Sequence, residues 1–271
     1  TDDQGDWFVH IGSPDMDKPV TLIIGLGQTV GDAVARRFLD ESHAVLAVDP
    51  DAGLLEELRK TAGDKIAYHH GATHTKLGLR NAMAAALESY SFVDNVVCIP
   101  PLPEPDRLMD LDMEDFESVL MKTARGAVQT LRVFTPELIA ERPEAENATD
   151  RTRQAGTFTF VLSLGASRAQ PGWFSESVSQ HAIMGIVKAA AIELAPEAVR
   201  VNAVIALRPR AEGREPWLRD RTPMGRPSLA EEIAETTTFL ASPNSAIITG
   251  EAITLDGGRR FLSGLIVSED D

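Results

Sequence analysis

Seven short apolar runs recur along this chain, and a helix-length stretch separates each from the next. The runs are VTLIIG (20–25), AVLAVD (44–49), KIAYHH (65–70), NVVCIP (95–100), TFTFVLSL (157–164), VRVNAVIAL (199–207) and AITLDG (252–257). Most are apolar at nearly every position rather than at alternate ones, which is the pattern of strands buried on both faces. Between them, segments 30–40, 51–62, 75–90, 114–140, 175–195 and 228–241 carry apolar residues at helical spacing. Strands that alternate with helices in this way imply an α/β fold: a doubly wound, parallel, seven-stranded Rossmann-type sheet with helices on both faces. One domain over 19–262 holds the whole pattern. An acidic extension (1–18) precedes it, in which WFVHI (7–11) can pack as an extra edge piece, and a solvated tail (263–271) follows. A polar loop, ERPEAENATDRTRQAG (141–156), interrupts the rhythm and is expected to be mobile.

Charge narrows the function. With 41 Asp and Glu against 26 Lys and Arg, the net charge is −15. Such a surface repels nucleic acid and anionic membrane. A single cysteine, Cys98, excludes an internal disulfide and fits a reducing compartment. No basic segment leads into an apolar run at the start, and no stretch of 18 apolar residues occurs. The expectation is a cytoplasmic protein.

The turn after the first long strand, IIGLGQTVGDAVARRFL, contains Gly25, Gly27 and Gly31. A doubly wound sheet binds a pyrophosphate at this place, using helix N-terminal amides and glycines that admit the ligand to the backbone. The next strand ends at Asp49, where a carboxylate would accept hydrogen bonds from the ribose diol of an adenosine. A 2′-phosphate would meet that carboxylate unfavourably, so NAD is favoured over NADP if either binds. The other reading of the turn is architectural, with glycines that only pack helix on strand.

The second half carries a resemblance. TPMGRPSLAEEIAETTTFLASPNSAIITGEAITLDGG (222–258), VRVNAV (199–204) and IELAP (192–196) resemble the end segments of the short-chain dehydrogenase/reductase family, and the likeness extends over 19–262. The resemblance implies a Rossmann fold, a nicotinamide cofactor and a homodimer or homotetramer built through the helices after the fourth and fifth strands. It also exposes departures. The family's Thr-Gly-x-x-x-Gly-x-Gly aligns with Ile24, Gly25, Thr29 and Gly31, with Gly27 extra. Its Asn-Asn-Ala-Gly aligns with Cys98, Ile99, Pro100 and Pro101, and its Pro-Gly beside the nicotinamide with Ala206 and Leu207.

The catalytic set implied by the resemblance departs further. The family's Ser aligns with Ser163 and its relay Asn with Thr123, while its Tyr-x-x-x-Lys aligns with Glu176 and Gln180. The chain's two tyrosines, Tyr68 and Tyr90, lie far upstream of Ser163, so no shift of register supplies the phenol. Reduction of a carbonyl by hydride needs a proton at the oxygen, and in the family a Lys lowers the Tyr pKa from about 10 for this task. Gln180 has no charge with which to do so.

Two functions remain open at this point. One is a non-catalytic member that binds a dinucleotide or related small molecule and works through a protein partner or an active relative. The other is a divergent enzyme, a redox enzyme or a lyase or hydrolase, in which Glu176 is a general base beside Ser163. Glu176 can equally be a carboxylate placed near a helix N-terminus for its dipole alone.

Six arginines in 208–226, among them Arg208 and Arg210, suit a carboxylate or phosphate ligand or an acidic partner. They also suit ion pairs with Glu212, Glu215, Asp220, Glu231 and Glu232 on a solvated face. His69, His70 and His74 cluster after the third strand, with stacking on adenine the expected role. No Cys or well-placed carboxylate completes a metal site with them. His181 points about 100° away from Gln180 on the helix and is expected to face a neighbouring element rather than the cavity, and Cys98, at the end of a buried strand, reads as inert core.

Overall fold

The computed structural model describes residues 7–9, 18–27, 29–140, 155–207 and 221–262. Its eight-stranded sheet runs in the order β1-β4-β3-β2-β5-β6-β7-β8. The seven parallel strands expected from the sequence are β2 (Val20–Ile24), β3 (Ala44–Asp49), β4 (Ile66–His70), β5 (Asn95–Cys98), β6 (Gly156–Ser163), β7 (Val199–Ala206) and β8 (Ala252–Leu255). The eighth is β1 (Trp7–Val9), which pairs antiparallel with β4 and places Trp7 opposite His70. It covers the edge that β4 would otherwise leave with unpaired backbone groups.

Among the described residues seven main helices join the strands: α1 (Thr29–Asp40), α2 (Ala52–Ala62), α3 (Lys76–Tyr90), α4 (Met113–Leu120), α5 (Gly126–Ile139), α6 (Phe174–Leu194) and α7 (Ala230–Ala241). Their ends follow local chemistry. Asp51 caps α2 by accepting from Gly53 N (2.8 Å), and Thr75 caps α3 by accepting from Gly78 N (3.1 Å). One long helix expected over 114–140 is instead α4 and α5 joined by a π-helical turn, Met121–Arg125. Such a turn inserts an extra residue and re-aims the side chains around it.

Alternate residues of each strand feed two separate cores. Leu22, Ile24, Leu46 and Val48 pack with α3, α5 and α6, while Ile23, Val45, Ala47 and Val204 pack with α1 and α7. Each fully buried Leu, Ile or Phe contributes on the order of 2 kcal/mol. The described part of the loop expected over 141–156 is Ala155 and Gly156, and the latter begins β6. The tail and most of the arginine segment lie outside the described residues.

The chain winds from β2 outward to β4, then returns to β5 beside β2. That reversal opens a crevice at the carboxyl ends of β2 and β5, where doubly wound sheets hold ligands. At the amino ends of β2, β5 and β6, opposite the crevice, runs a hydrogen-bonded row. Thr157 Oγ1 donates to Asn95 Oδ1 (2.7 Å), Asn95 Nδ2 to Thr21 Oγ1 (3.4 Å), and Thr21 Oγ1 meets His43 Nδ1 at 2.8 Å.

Burial lowers the pKa of His43 below the ordinary 6.5, against a smaller opposing pull from Glu41. The unfolded chain therefore takes up this proton before the folded one does. The stability is complete above pH 6.5 and is lost as pH falls through the window beneath it. Denaturant midpoints at pH 7.5 and 5.5 should differ by less in His43→Gln than in the parent. An identical difference in the two proteins would refute the assignment.

Candidate functional site

Helix α6 carries the centre of the site, and a residue from another segment fixes its head. Trp173, at the N-cap position, offers no side-chain acceptor. The carboxylate of Asp106, from the loop after β5, takes that place and accepts from Ser175 N (3.0 Å). Asp106 N donates to Gly172 O, and Phe174 N donates to Asp106 O. A negative group at a helix N-terminus is stabilised by the dipole, so one aspartate docks the loop and caps the helix. Nothing in the local sequence of α6 announces this partner, which lies 69 residues away.

One turn into α6, Glu176 and Gln180 face the end of β6, as their spacing requires. Ser163 Oγ donates to Glu176 Oε1 at 2.5 Å, and Ser163 N donates to Gln180 Oε1 at 3.2 Å. Gly165 N donates in turn to Ser163 Oγ at 3.2 Å. All three side chains are sealed, with Ser163 5% exposed, Glu176 4% and Gln180 0%. Gly165 is what permits the approach, because a Cβ there would stand 3.0 Å from Glu176 Cγ and 3.1 Å from Ser163 Oγ. Gln180 Nε2 is buried without a hydrogen-bond partner, an unusual state for an amide.

The fourth expected residue, Thr123, stands apart. It is buried on the π-helical turn, which packs against α6, and its hydroxyl donates to Val119 O (2.6 Å) in its own helix. No hydrogen bond joins it to the trio.

The glycine turn lies at the crevice as expected, and its geometry accounts for two of its three glycines. Gly25 has φ +85°, and a Cβ there would meet Ile99 O at 2.5 Å. At Gly31 a Cβ would meet Leu26 O at 2.3 Å, because the helix starts hard against the strand end. Gly27 also has positive φ, at 53°, and Thr29 is exposed at the first position of α1. Asp49 sits beside this turn but is committed to it. Its Oδ2 accepts from Leu26 N (2.7 Å) and its Oδ1 from Asp51 N (2.8 Å). It is buried, and burial raises its pKa while those two amides oppose the rise. A carboxylate oxygen can accept two hydrogen bonds, so each retains capacity for a diol. The glycines, the α1 terminus and Asp49 therefore fit the adenosine half of a dinucleotide.

The nicotinamide side is different. Pro100 and Pro101, just after β5, have no N–H groups to offer, and Ala206 and Leu207 stand at and just after the end of β7. Cys98 is buried, and burial pushes its thiol up to about 12, as suits an inert core residue. His181 lies on the exposed side of α6, with Nδ1 2.8 Å from Ser177 O, so it faces solvent rather than a neighbouring element. His70 Nε2 meets Pro50 O at 3.0 Å, and no three His, Cys, Asp or Glu among the described residues converge to hold a metal. Arg208 and Arg210 lie outside the described residues; Arg226, at the end of that segment, forms a two-pronged ion pair with Glu232 (2.9 and 2.6 Å).

The family model described as enoyl-(acyl carrier protein) reductase matches residues 25–260. The chain belongs to the short-chain dehydrogenase/reductase family. A glucose 1-dehydrogenase of Gluconobacter oxydans is 28% identical over 250 residues, covering 88% of this chain and 90% of the relative. A (+)-cis,trans-nepetalactol synthase of Nepeta racemosa is 26% identical, with 90% and 91% covered. Among solved structures, a 3-ketoacyl-(acyl-carrier-protein) reductase from Brucella melitensis, complexed with NADH, superimposes with TM-score 0.78 at 29% identity, covering 89% of this chain and 98% of that one. No helix of the described residues is long and apolar enough to cross a membrane.

Ser163→Ala removes the donor that faces a buried carboxylate and should cost about 1–3 kcal/mol in urea denaturation. Combined with Glu176→Gln in a double-mutant cycle, the two changes should couple by more than about 0.5 kcal/mol. Strict additivity would mean that the pair is not formed in solution.

Proposed function

We propose that this chain binds an adenine dinucleotide, NAD(H) in preference to NADP(H), without the family's ordinary hydride-transfer turnover, and that it acts through a protein partner or an active relative. One observation carries the reading: the Ser163 hydroxyl, which in the family faces substrate, is spent on Glu176 at 2.5 Å and is 5% exposed. When bound, a nicotinamide supplies or receives the hydride, and the protein must supply the matching proton at the carbonyl oxygen. Here the phenol is replaced by Glu176 and the ammonium that would tune it by Gln180. A carboxylate held by a serine O–H is placed to accept a proton, not to deliver one to substrate. Asp49 has acceptor capacity left for the adenosine diol.

The same 2.5 Å contact also favours a second reading, a divergent enzyme in which Glu176 is the base for Ser163. A relative named as a synthase rather than a dehydrogenase keeps that chemistry in view. The closed network around Ser163 Oγ, which accepts from Gly165 N as well as donating, weighs against it. Apolar side chains exposed on the helices between β5 and β7, including Met113, Val128 and Ile192, support a homodimer or homotetramer.

A calorimetric titration of the cofactor-free protein with NADH and then NADPH tests the proposal. Saturable NADH binding, weaker NADPH binding and at least a tenfold loss in Asp49→Ala are expected, a tenfold loss corresponding to about 1.4 kcal/mol. No heat with either dinucleotide would overturn the nucleotide reading. Turnover of a carbonyl panel that collapses in both Ser163→Ala and Glu176→Gln would replace the non-catalytic reading with the enzymatic one.

A further inference from the structure

A dinucleotide on a doubly wound sheet lies across the reversal of strand order, one nucleotide to each side. The two sides of this crevice are not equally equipped. On the β2–β3 side, Gly27 is half-buried at positive φ and Thr29 is exposed. The first turn of α1 carries main-chain N–H groups that no carbonyl of the helix can take. Gly31 N is one of these and goes to Leu26 O (2.6 Å), which leaves the start of the turn for a pyrophosphate. Asp49, at the end of β3, keeps acceptor capacity for a ribose diol.

On the β5–β7 side, the main-chain donors of the described residues at the strand ends are spent or missing. Ile99 N donates to Ile24 O (2.9 Å) and Leu207 N to Leu255 O (3.2 Å), while Pro100 and Pro101 have no N–H. After β6, Ser163 N goes to Gln180 Oε1 and Gly165 N to Ser163 Oγ. Ser167 N and Arg168 N both go to Leu164 O, at 3.0 and 2.9 Å. The side chains at these ends do not replace them. Ser163 and Glu176 are bonded to each other and sealed, and Ile99, Leu164, Ala206 and Leu207 are buried and apolar. A nicotinamide ring carries a carboxamide, which must find hydrogen-bond partners wherever it leaves water. The carbonyl of that group meets no available main-chain donor here, so the ring gains little by docking.

We propose that the crevice grips the adenosine diphosphate portion of its ligand alone and leaves the nicotinamide ring unheld. The ligand class is then the adenosine 5′-diphosphates that carry a substituent on the second phosphate, of which NAD(H) is one member. Such a site reads the presence of the nucleotide and not the oxidation state of its ring. The proposal rests on the nucleotide reading and narrows it.

Calorimetry with three probes provides the test. ADP-ribose keeps the adenosine, both phosphates and the second ribose of NADH but lacks the ring, and nicotinamide mononucleotide is the other half. ADP-ribose should bind no more than about threefold weaker than NADH. Nicotinamide mononucleotide should give no saturable heat, and Asp49→Ala should weaken NADH and ADP-ribose by the same factor. A larger deficit for ADP-ribose, saturable binding of nicotinamide mononucleotide, or an unequal effect of Asp49→Ala would overturn the proposal and leave the nucleotide reading standing. Silence from both NADH and ADP-ribose would instead overturn the nucleotide reading itself, and the proposal would fall with it.

Discussion

The parallel sheet must be buried on both faces, and most of the molecule follows from that constraint. Parallel strands need crossovers, right-handed crossovers place helices alternately on the two faces, and the return of the chain from β4 to β5 leaves one open crevice. Every group discussed as a ligand or catalytic residue stands at the carboxyl ends of strands bordering that crevice or on the helices that follow them. Gly25 is required there because a Cβ would strike Ile99 O just after β5, and Gly31 because the start of α1 lies against Leu26 at the end of the β2 strand. Asp49 then ties the turn down through Leu26 N. The same carboxylate thus belongs to the architecture first, and any ligand meets it already ordered and partly desolvated. Its burial raises the cost of ionisation, and two amides at 2.7 and 2.8 Å offset part of that cost.

The strands and the doubly wound parallel sheet were legible because period and burial are written into each run. Val20–Ile24, Ala44–Asp49 and Val199–Ala206 fall within a residue or two of the apolar runs at 20–25, 44–49 and 199–207. The break between α4 and α5 was not legible. A π-helical turn changes hydrogen bonding without altering composition, and Met121–Arg125 continues the helical pattern on either side. The trio Ser163, Glu176 and Gln180 was visible as a group through the family alignment and the four-residue spacing, but its closure was not. That depends on Gly165, whose missing Cβ admits Glu176, and on a contact between segments that no single stretch encodes. Asp106 was missed for the same reason: a cap supplied from the loop after β5 leaves no mark at the start of α6.

The replacements in the site make sense only together. A carboxylate at 176 with a lysine still at 180 would have formed an ion pair across one helical turn and kept a charge on Gln180's position. A phenol at 176 with glutamine at 180 would have kept a proton donor without the cation that tunes it. With both changed, the buried centre trades a phenol and an ammonium for a carboxylate and an amide. A buried carboxylate is costly unless it is hydrogen-bonded. Ser163 O–H supplies one bond directly, and Gln180 Oε1, by taking Ser163 N, holds the serine where it can do so. The amide therefore positions the serine for the carboxylate, much as the family's cation serves its phenol, but in the service of holding β6 to α6. Such an arrangement preserves the packing between β6 and α6 while the Ser163 hydroxyl is turned inward onto Glu176.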